Sequence, residues 1–378
     1  PHGIAFNEDE TLLFVHNFLS RSVGVYDISG IITGVDFTIP KISELVTVAR
    51  EKLDSTVLKG KRIFHNANDG RMSRDGYMSC AVCHFDGMSD ERVWDVTGRG
   101  EGLRNTISLL GRGGLGHGNV HWTANFDEIH DFEGEIRADF GGSGFMDDAD
   151  FNEGTRSDPL GDPKTGLSRD LDALAAYVSS LVDVHRSPYR NPDGSLTDEA
   201  IEGRLLFYGK AGCGECHSAP TFTDSQRHDV GTIKAHSGTG SSLPLSGTGF
   251  DTPTLLGMWE TAPYLHDGSA ATLADVLENP QHGNAATLSP EEKSRLVAYM
   301  LQLEAEDEIP DIEDEETPTD DATPSDDATV GAPATAQNIE PGQAAPAATS
   351  TGSISVLLLL MLLAGLYSRV FTGRLASA

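Results

Sequence analysis

Two short stretches decide the fold of this chain: Cys80-Ala81-Val82-Cys83-His84 and Cys213-Gly214-Glu215-Cys216-His217. Both have the form C-x-x-C-H, which is the attachment motif of a c-type haem. The two thiols form thioethers with the haem vinyl groups, and the adjacent histidine binds the iron from the proximal side. The 378 residues contain 4 cysteines, so no thiol is left for a disulfide. We therefore expect two covalently bound haem c groups.

A structural zinc site is the alternative interpretation, because C-x-x-C pairs also hold zinc. Zinc would not require a histidine directly after the second cysteine in both copies, and it would require the two pairs to meet in space. The repeated histidine favours haem, with His84 and His217 as the proximal iron ligands. The four attachment residues are then Cys80, Cys83, Cys213 and Cys216.

An internal repeat indicates the domain organisation. K-G-K-R-I-F at 59–64 leads to the first motif, and E-G-R-L-L-F at 202–207 leads to the second. Segments with apolar residues at helical spacing close the two copies, and each begins at a good N-cap residue, Ser168 or Ser289. A helix before the motif and a helix after it are typical of cytochrome c. We predict a mostly α fold with two tandem cytochrome c-like haem domains, at 59–186 and 187–304.

Short β-rich runs precede the repeat, at 3–6, 11–15 and 22–28, with turn residues between them. The segment 1–40 resembles one blade of the YVTN type of β-propeller. Because one blade cannot close a propeller, we expect further blades upstream in the natural protein. The alternative is a small sheet that packs on the cytochrome body.

The C-terminal part of the chain changes composition twice. Residues 305–352 are rich in Asp, Glu, Pro, Thr and Ala, a composition that cannot bury a core, and we predict a disordered acidic linker there. Residues 353–378 contain an apolar run that is shorter than the ~20 residues of a comfortable membrane span. A cleaved sorting signal and a permanent membrane anchor both remain open as interpretations.

The charge and the haem motifs together limit the partners and the location. The net charge of −31 argues against nucleic acid as a partner. A negative surface suits a basic electron donor such as a small cytochrome or a cupredoxin, although solubility explains the charge equally well. Because c-type haem is attached outside the cytoplasmic membrane, we expect an exported protein of the bacterial cell envelope, periplasmic or on the cell surface.

Three further stretches carry a family resemblance. T-A-P-Y-L-H-D-G-S at 261–269 is close to a T-x-P-Y-x-H-D-G element, and L-R-N-T at 103–106 and H-W at 121–122 are similar to R-N-T-P and H-W-D-G elements. Over roughly residues 55–304 the chain therefore resembles the bacterial di-haem cytochrome c peroxidase and MauG superfamily. The resemblance implies an oxidoreductase in which electrons enter at the second haem and hydrogen peroxide is reduced at the first.

The resemblance also implies roles for single residues. Trp122 matches the tryptophan that relays electrons between the haems, with core packing as the alternative. Asn105, Thr261 and Pro263 match positions that give oxygen ligands to a calcium ion between the domains. Oxygen ligands suit such a hard cation.

The peroxide chemistry requires a group that moves a proton between the two oxygens. An acidic run after the tryptophan offers candidates, and we favour Glu133 and Glu128 as catalytic residues, with Glu135 as a further carboxylate. His130 is a third catalytic candidate or, alternatively, a sixth ligand that closes the first haem. The run departs from the family, whose distal carboxylate lies further along the chain, and a solvated acidic face is the alternative.

The sixth ligand of the second haem departs from the family as well. The segment 273–284 contains neither the methionine of the peroxidases nor the tyrosine of MauG, and His282 is its best donor. Met258 and Met300 are the reserves. Ligation by two histidines lowers a haem potential relative to His/Met, which weakens the peroxidase interpretation. A non-catalytic electron-transfer module fused to a propeller and a MauG-like oxidase therefore stay open beside it.

Overall fold

The structure, a computed structural model, describes residues 2–235, 237, 248–307 and 309–310. The predicted linker beyond residue 310 and the apolar segment 353–378 lie outside the described residues. The described residues divide into two units, one before residue 53 and one from Leu53 onward. None of the helices within the described ranges has the length and apolar character that crossing a membrane requires.

The N-terminal unit is an antiparallel sheet with its four strands in sequential order. Its elements are β1 (Gly3–Phe6), β2 (Leu12–Asn17), β3 (Ser22–Asp27), the short helix α1 (Ser29–Thr33) and β4 (Lys41–Val46). The side chain of Asn7 accepts the Leu12 N–H at 2.8 Å and so closes the β1–β2 turn. The predicted β segment is thus confirmed, and it extends by one strand beyond the predicted limit at residue 40. All residues of β4 are exposed.

The second unit carries both C-x-x-C-H motifs. Its helices are α2 (Ser55–Phe64), α3 (Cys80–Cys83), α4 (Phe132–Ala138), α5 (Asp148–Phe151), α6 (Arg169–Ser179), α7 (Asp198–Tyr208), α8 (Leu273–Val276) and α9 (Pro290–Met300). Its strands pair as β5 (Val93–Asp95) with β6 (Leu103–Asn105) and as β7 (Arg227–His228) with β8 (Phe250–Asp251). Single 3₁₀ turns lie at Phe18–Ser20, Phe85–Gly87, Thr97–Arg99, Ile129–Asp131, Cys213–Glu215, Met258–Glu260 and Ala285–Thr287.

Helices make up about 29% of the described residues, so the chain is less helical than the mostly α prediction implies. Long loops account for the difference. One of them, 111–118, has positive φ at Gly111, Gly113, Gly114 and Gly118, conformations that interrupt regular structure and that glycine adopts without strain.

The first core forms where α2 crosses α6. Phe64 of α2 and Tyr177 of α6 contact edge to face, with ring centroids 5.1 Å apart. The crossing is close because Gly60 lies at the contact, where an added Cβ would stand 1.8 Å from the Ala173 carbonyl oxygen. The buried members of this core are Ile63, Phe64, Met72, Ile129, Ile136, Phe145, Met146, Leu171, Leu174, Tyr177 and Val178.

The second core repeats this arrangement with α7 and α9. Phe207 and Tyr299 pack edge to face at 5.3 Å, and a Cβ on Gly203 would lie 2.0 Å from the Arg295 carbonyl oxygen. Gly60 and Gly203 occupy the same position of the sequence repeat, so each copy uses its glycine to bring two helices together. The predicted domain limits at 59–186 and 187–304 remain a prediction.

Backbone hydrogen bonds join the segments of the two copies. The Asn105 N–H donates to the His266 carbonyl at 2.7 Å, and the Asp251 N–H donates to the Trp122 carbonyl at 2.9 Å. Both bonds involve stretches that the sequence singled out, L-R-N-T, H-W and the T-A-P-Y-L-H-D-G-S turn. These stretches therefore meet at the junction between the copies.

Candidate haem sites and the junction between them

The first C-x-x-C-H motif faces a cavity of about 510 Å³. Because α3 is a single helical turn, with His84 N–H donating to the Cys80 carbonyl at 2.9 Å, the side chains of Cys80, Cys83 and His84 all line this cavity. Phe64 and Leu174 give it apolar walls. Burial lowers the pKa of His84 to about 4, so its imidazole is neutral at pH 7, as a metal ligand must be.

The second motif faces a cavity of about 220 Å³, lined by Cys213, Cys216 and His217. The Nδ1 of His217 lies 3.0 Å from the Phe222 carbonyl oxygen. A carbonyl only accepts, so Nδ1 carries the proton and Nε2 keeps its lone pair for a metal. Burial also lowers the pKa of His217 to about 4.

The two cysteine pairs do not share a site. They line different cavities, and the one candidate group of three metal ligands within the described ranges joins Cys216 to Asp224 and His228 rather than to another cysteine. A zinc site built from both pairs is therefore excluded by geometry. Each cavity instead combines two thiols, a neutral imidazole and apolar walls, a donor set that fits a c-type haem.

Trp122 lines both cavities, as Asn105 does. Its indole Nε1–H donates to the Asn105 carbonyl oxygen at 2.8 Å, and its own carbonyl accepts the Asp251 N–H. These two bonds hold the indole at the junction. The position predicted for an electron relay is thus one at which a single aromatic ring borders both candidate haem sites.

His282 faces His217 in the second cavity. The ring centroids of His217 and His282 are 6.3 Å apart. Two imidazoles that bind one metal from opposite sides, each through a bond of ~2 Å, have centroids roughly 6 Å apart. The Nδ1 of His282 is buried without a hydrogen-bond partner, and burial lowers its pKa. Both reserve donors, Met258 and Met300, also line this cavity.

Glu133 is fully buried but does not line the first cavity. Its carboxylate pairs with the Arg137 guanidinium at 2.8 Å and accepts the N–H groups of Phe145 and Met146. These contacts attach α4 to the segment that follows it. Glu133 therefore has a structural position, and the expectation that it faces the reacting group is not supported.

Glu128 and His130 also lie away from the cavity lining. Glu128 accepts the Lys164 N–H at 2.7 Å, and His130 Nε2 lies 2.9 Å from Asp172 Oδ1. Both contacts tie the 3₁₀ turn at 129–131 to the segment around residues 164–172. The two side chains take part in this tie outside the cavity lining, and their roles as proton carriers or, for His130, as a sixth ligand stay predictions.

Other acidic side chains line the first cavity: beside Asp95 and Glu101, the two that come from α4 and its C-terminal end are Glu135 and Asp139. They are four residues apart and so share one face of a helical turn, whereas Glu133 points to a different face. The i,i+4 spacing could not have separated Glu135 from Glu133 in the sequence, because Glu133 and Arg137 have the same spacing.

His121 is the residue that the sequence analysis missed, since it served there only as part of the H-W match. It lines the first cavity, between Phe126 and Phe132, whose ring centroids lie 4.1 and 5.0 Å away. Its Nδ1 lies 3.0 Å from the Asn125 Oδ1. With the proton on Nδ1, donated to that oxygen, Nε2 is a proton acceptor.

The calcium candidates meet in part. The Asn105 amide nitrogen donates to the Pro263 carbonyl oxygen, and the Asn105 Oδ1 is buried without a partner. Thr261 lines the same cavity as both residues, but its hydroxyl donates to the Met258 carbonyl. A buried amide oxygen that lacks a donor fits a hard-cation ligand.

Comparisons with known proteins agree on one group. Residues 249–284 match a family described as RoxA-like, cytochrome c-like. The chain is 30% identical over 279 residues to hydrazine synthase subunit gamma of Kuenenia stuttgartiensis, covering 62% of this chain and 75% of that protein. A solved structure of hydrazine synthase from that organism is similar, with a TM-score of 0.51 and 26% identity over 67% of this chain and 89% of that one.

Two other relatives match over shorter stretches. The chain is 34% identical over 155 residues to the methylamine utilization protein MauG of Methylorubrum extorquens, which is 35% of this chain and 43% of that protein. It is 28% identical over 159 residues to the cytochrome c551 peroxidase of Nitrosomonas europaea, which is 38% of this chain and 46% of the peroxidase.

Proposed function

This chain belongs to the family of di-haem cytochrome c peroxidases, MauG proteins and hydrazine synthase gamma subunits, and from that premise we propose that it is a di-haem c-type peroxidase. On this proposal electrons enter at the His217 site and hydrogen peroxide is reduced at the His84 site. The observation that carries it is the asymmetry of the cavities. Each cavity holds a second histidine, but the two differ: His282 faces His217 with ring centroids 6.3 Å apart, whereas His121 in the cavity of His84 has its Nδ1 bonded to Asn125 and shares the lining with the carboxyl group of Glu135.

Reduction of hydrogen peroxide to two waters consumes two electrons and two protons, so the protein has to handle protons at the first site. Bound haem supplies an iron that exchanges electrons and binds small oxygen ligands. His121 Nε2 accepts the proton of the near oxygen and returns it to the departing oxygen. The hydrogen bond from Nδ1 to Asn125 stabilises the imidazolium that forms in between.

Trp122 and the apolar walls support this chemistry. The bond from the indole Nε1–H to the Asn105 carbonyl holds the ring against both cavities, where it offers a path for electrons. Phe64 and Leu174 keep water away from the first site, which strengthens electrostatic interactions there.

The deciding experiment is an EPR and visible titration of the haem-loaded protein, first ferric, then half-reduced, then with hydrogen peroxide. We expect a high-spin ferric signal at one haem and rapid reoxidation when peroxide is added. Two low-spin irons in every state, with no fast reaction, would instead establish an electron-transfer module. That second function is favoured by one observation, the presence of His121 in the first cavity, where it could serve as a sixth ligand.

His282 is proposed as the sixth ligand of the second haem. Replacing it with alanine should convert a low-spin bis-histidine spectrum into a high-spin one at that haem alone. His282→Met should restore a low-spin spectrum and raise the midpoint potential, because His/Met ligation favours the reduced iron. The control is His185→Ala, an exposed histidine that pairs with Glu260. An unchanged spectrum in His282→Ala would reject the assignment.

We also propose a calcium ion at the junction, with the Asn105 Oδ1 and the Pro263 carbonyl among its ligands and Thr261 nearby. Asn105→Leu removes the side-chain ligand and should abolish binding of one calcium ion per chain in a calorimetric titration. Asn105→Asp keeps an oxygen and should retain it. A wild-type protein that binds no calcium after chelator treatment and titration would refute this site.

We also propose an electron donor and a location for this protein. The donor is a basic small cytochrome or a cupredoxin, and the location is the cell envelope. Electron exchange that does not slow as the salt concentration rises would argue against electrostatic steering of this donor.

We propose that the N-terminal sheet is one propeller blade, since β4 exposes Ile42 and Val46. A hydrophobic dye that binds the sheet, and no longer binds when further blades precede it, would support this.

A further inference from the structure

Arg112 is a buried arginine for which the proposed chemistry has given no role. Its side chain is 5% exposed and lines the cavity of Cys80, Cys83 and His84. Within the part of the chain that the structure describes, its guanidinium has no hydrogen bond and no ion pair. Five N–H donors and a full charge thus face a mostly apolar cavity, and a buried charge is costly unless it is paired.

The loop that carries Arg112 packs closely against the end of α6 and the segment after it. Positive φ angles at Gly111 and Gly114 turn the backbone so that it lies against the segment that follows α6. A Cβ on Gly111 would stand 2.3 Å from Val184, and one on Gly114 would stand 2.7 Å from the Ser179 hydroxyl. Close packing therefore fixes the backbone on both sides of Arg112.

The protein itself supplies incomplete compensation for the charge. Asp251 is the acidic group that acts on Arg112, but the two form no ion pair, and Asp251 lines the other cavity with its Oδ1 buried and unbonded. Burial raises the pKa of Asp251 to about 7, so it carries only part of a negative charge at neutral pH. An additional anion beside Arg112 would complete the compensation of its charge.

The second described arginine of the first cavity is already engaged. Arg104 lies 3.6 Å from the Glu101 carboxylate and donates to the carbonyl groups of Leu103 and Ser237. Arg112 is thus the described guanidinium of that cavity which is left to receive a carboxylate from a ligand.

We propose that Arg112 binds a haem propionate at the first site and holds it as a carboxylate. The inference rests on the proposed function in that it requires haem at Cys80 and Cys83. A propionate matches the site because its two oxygens fit the guanidinium fork. The neighbouring His117 is 5% exposed, and its Nδ1 is buried without a partner. The same loop thus carries a second polar group whose hydrogen-bonding capacity is unused.

The test measures the midpoint potential of each haem by redox titration in Arg112→Gln, Arg112→Lys and Arg74→Gln. A nearby positive charge favours the reduced iron. We expect Arg112→Gln to lower the equilibrium constant for reduction of the first haem about tenfold, which is about 59 mV for one electron. The second haem should be unaffected, and Arg112→Lys should keep most of the wild-type value. Arg74→Gln removes an exposed guanidinium that pairs with Asp75. It should leave the midpoint potentials of both haems unchanged.

The possible results separate the inference from the proposed function. A first-haem potential in Arg112→Gln equal to that of Arg74→Gln, or a shift confined to the second haem, overturns the role of Arg112. If Arg112→Gln takes up no haem, Arg112→Lys is the deciding variant. A lysine variant that keeps its haem and the first-haem potential supports the role of the charge. A lysine variant that loses both its haem and its fold, as seen by circular dichroism, overturns that role. The midpoint potentials and the haem content do not depend on reactivity with peroxide. A protein that does not react with peroxide therefore still tests the inference. A chain that carries no haem at Cys80 refutes the proposed function first.

Discussion

Replacing His121 with glutamine is expected to lower the rate of peroxide reduction by about 10²–10⁴-fold, the usual contribution of a positioned general base. The imidazole lines the first cavity, and its Nδ1 bond to Asn125 sets the tautomer that leaves Nε2 as the acceptor. Glutamine keeps a hydrogen-bonding group of similar size but cannot take up a proton. The loss should therefore fall on kcat with a smaller change in KM.

Stopped-flow mixing of the half-reduced protein with peroxide gives this rate directly. His185→Gln is the matched control, because it changes an exposed histidine that pairs with Glu260 and lines neither cavity, and it should retain the wild-type rate. Glu135→Gln separates the two groups in the cavity: if the carboxylate is the proton carrier, it will show the large loss and His121→Gln will not. A wild-type rate in both cavity variants would contradict acid–base catalysis by this chain.

Replacing Gly203 with valine is expected to destabilise the second core by about 3 kcal/mol, the upper part of the usual range for an overpacked site. The Cβ would stand 2.0 Å from the Arg295 carbonyl oxygen, and that oxygen belongs to the backbone of α9 and cannot rotate away. The helices α7 and α9 must separate, which exposes Phe207 and Tyr299. Urea unfolding of the haem-loaded protein and its haem content report the change.

Two further glycine variants serve as references for this prediction. Gly60→Val should act on the first core in the same way, because its Cβ would lie 1.8 Å from the Ala173 carbonyl. Gly134→Ala in α4 meets no atom within 4 Å and should be neutral or stabilising, by up to about 1 kcal/mol, since alanine favours a helix over glycine. Equal stability of Gly203→Val and wild type would mean that the helix crossing is not as close as described.

The candidate haem sites and the paired helices were predictable from local signals. Each C-x-x-C-H motif carries its two thiols and its imidazole within five residues, so one turn of chain suffices to bring them together. The repeat placed Gly60 and Gly203 in equivalent positions, and the N-cap residues Ser168 and Ser289 mark where the closing helices begin. Each of these depends on neighbours in the sequence.

Which acidic side chain reaches the first cavity depends on the face of α4 that meets it. Glu133 and Glu135 are two residues apart, and the composition of the run does not distinguish them. In the structure Glu133 turns toward Arg137 and the N–H groups of Phe145 and Met146. Glu133 is thus held by residues 4 to 13 positions further along the chain, and Glu135 is the one of the two that lines the cavity.

The sequence by itself determined the cofactor class, the tandem repeat with its helix pairs and the N-terminal β segment, because periodicity and short motifs express these within one or two turns of chain. Only the tertiary structure decided that His282 faces His217, that Trp122 borders both cavities, and that Arg112 is buried without a partner. The first joins side chains 65 residues apart, and the second depends on a backbone bond between Trp122 and Asp251, which are 129 residues apart. These relations follow from how the loops between the helices close, and that closure depends on long-range packing rather than on any local pattern.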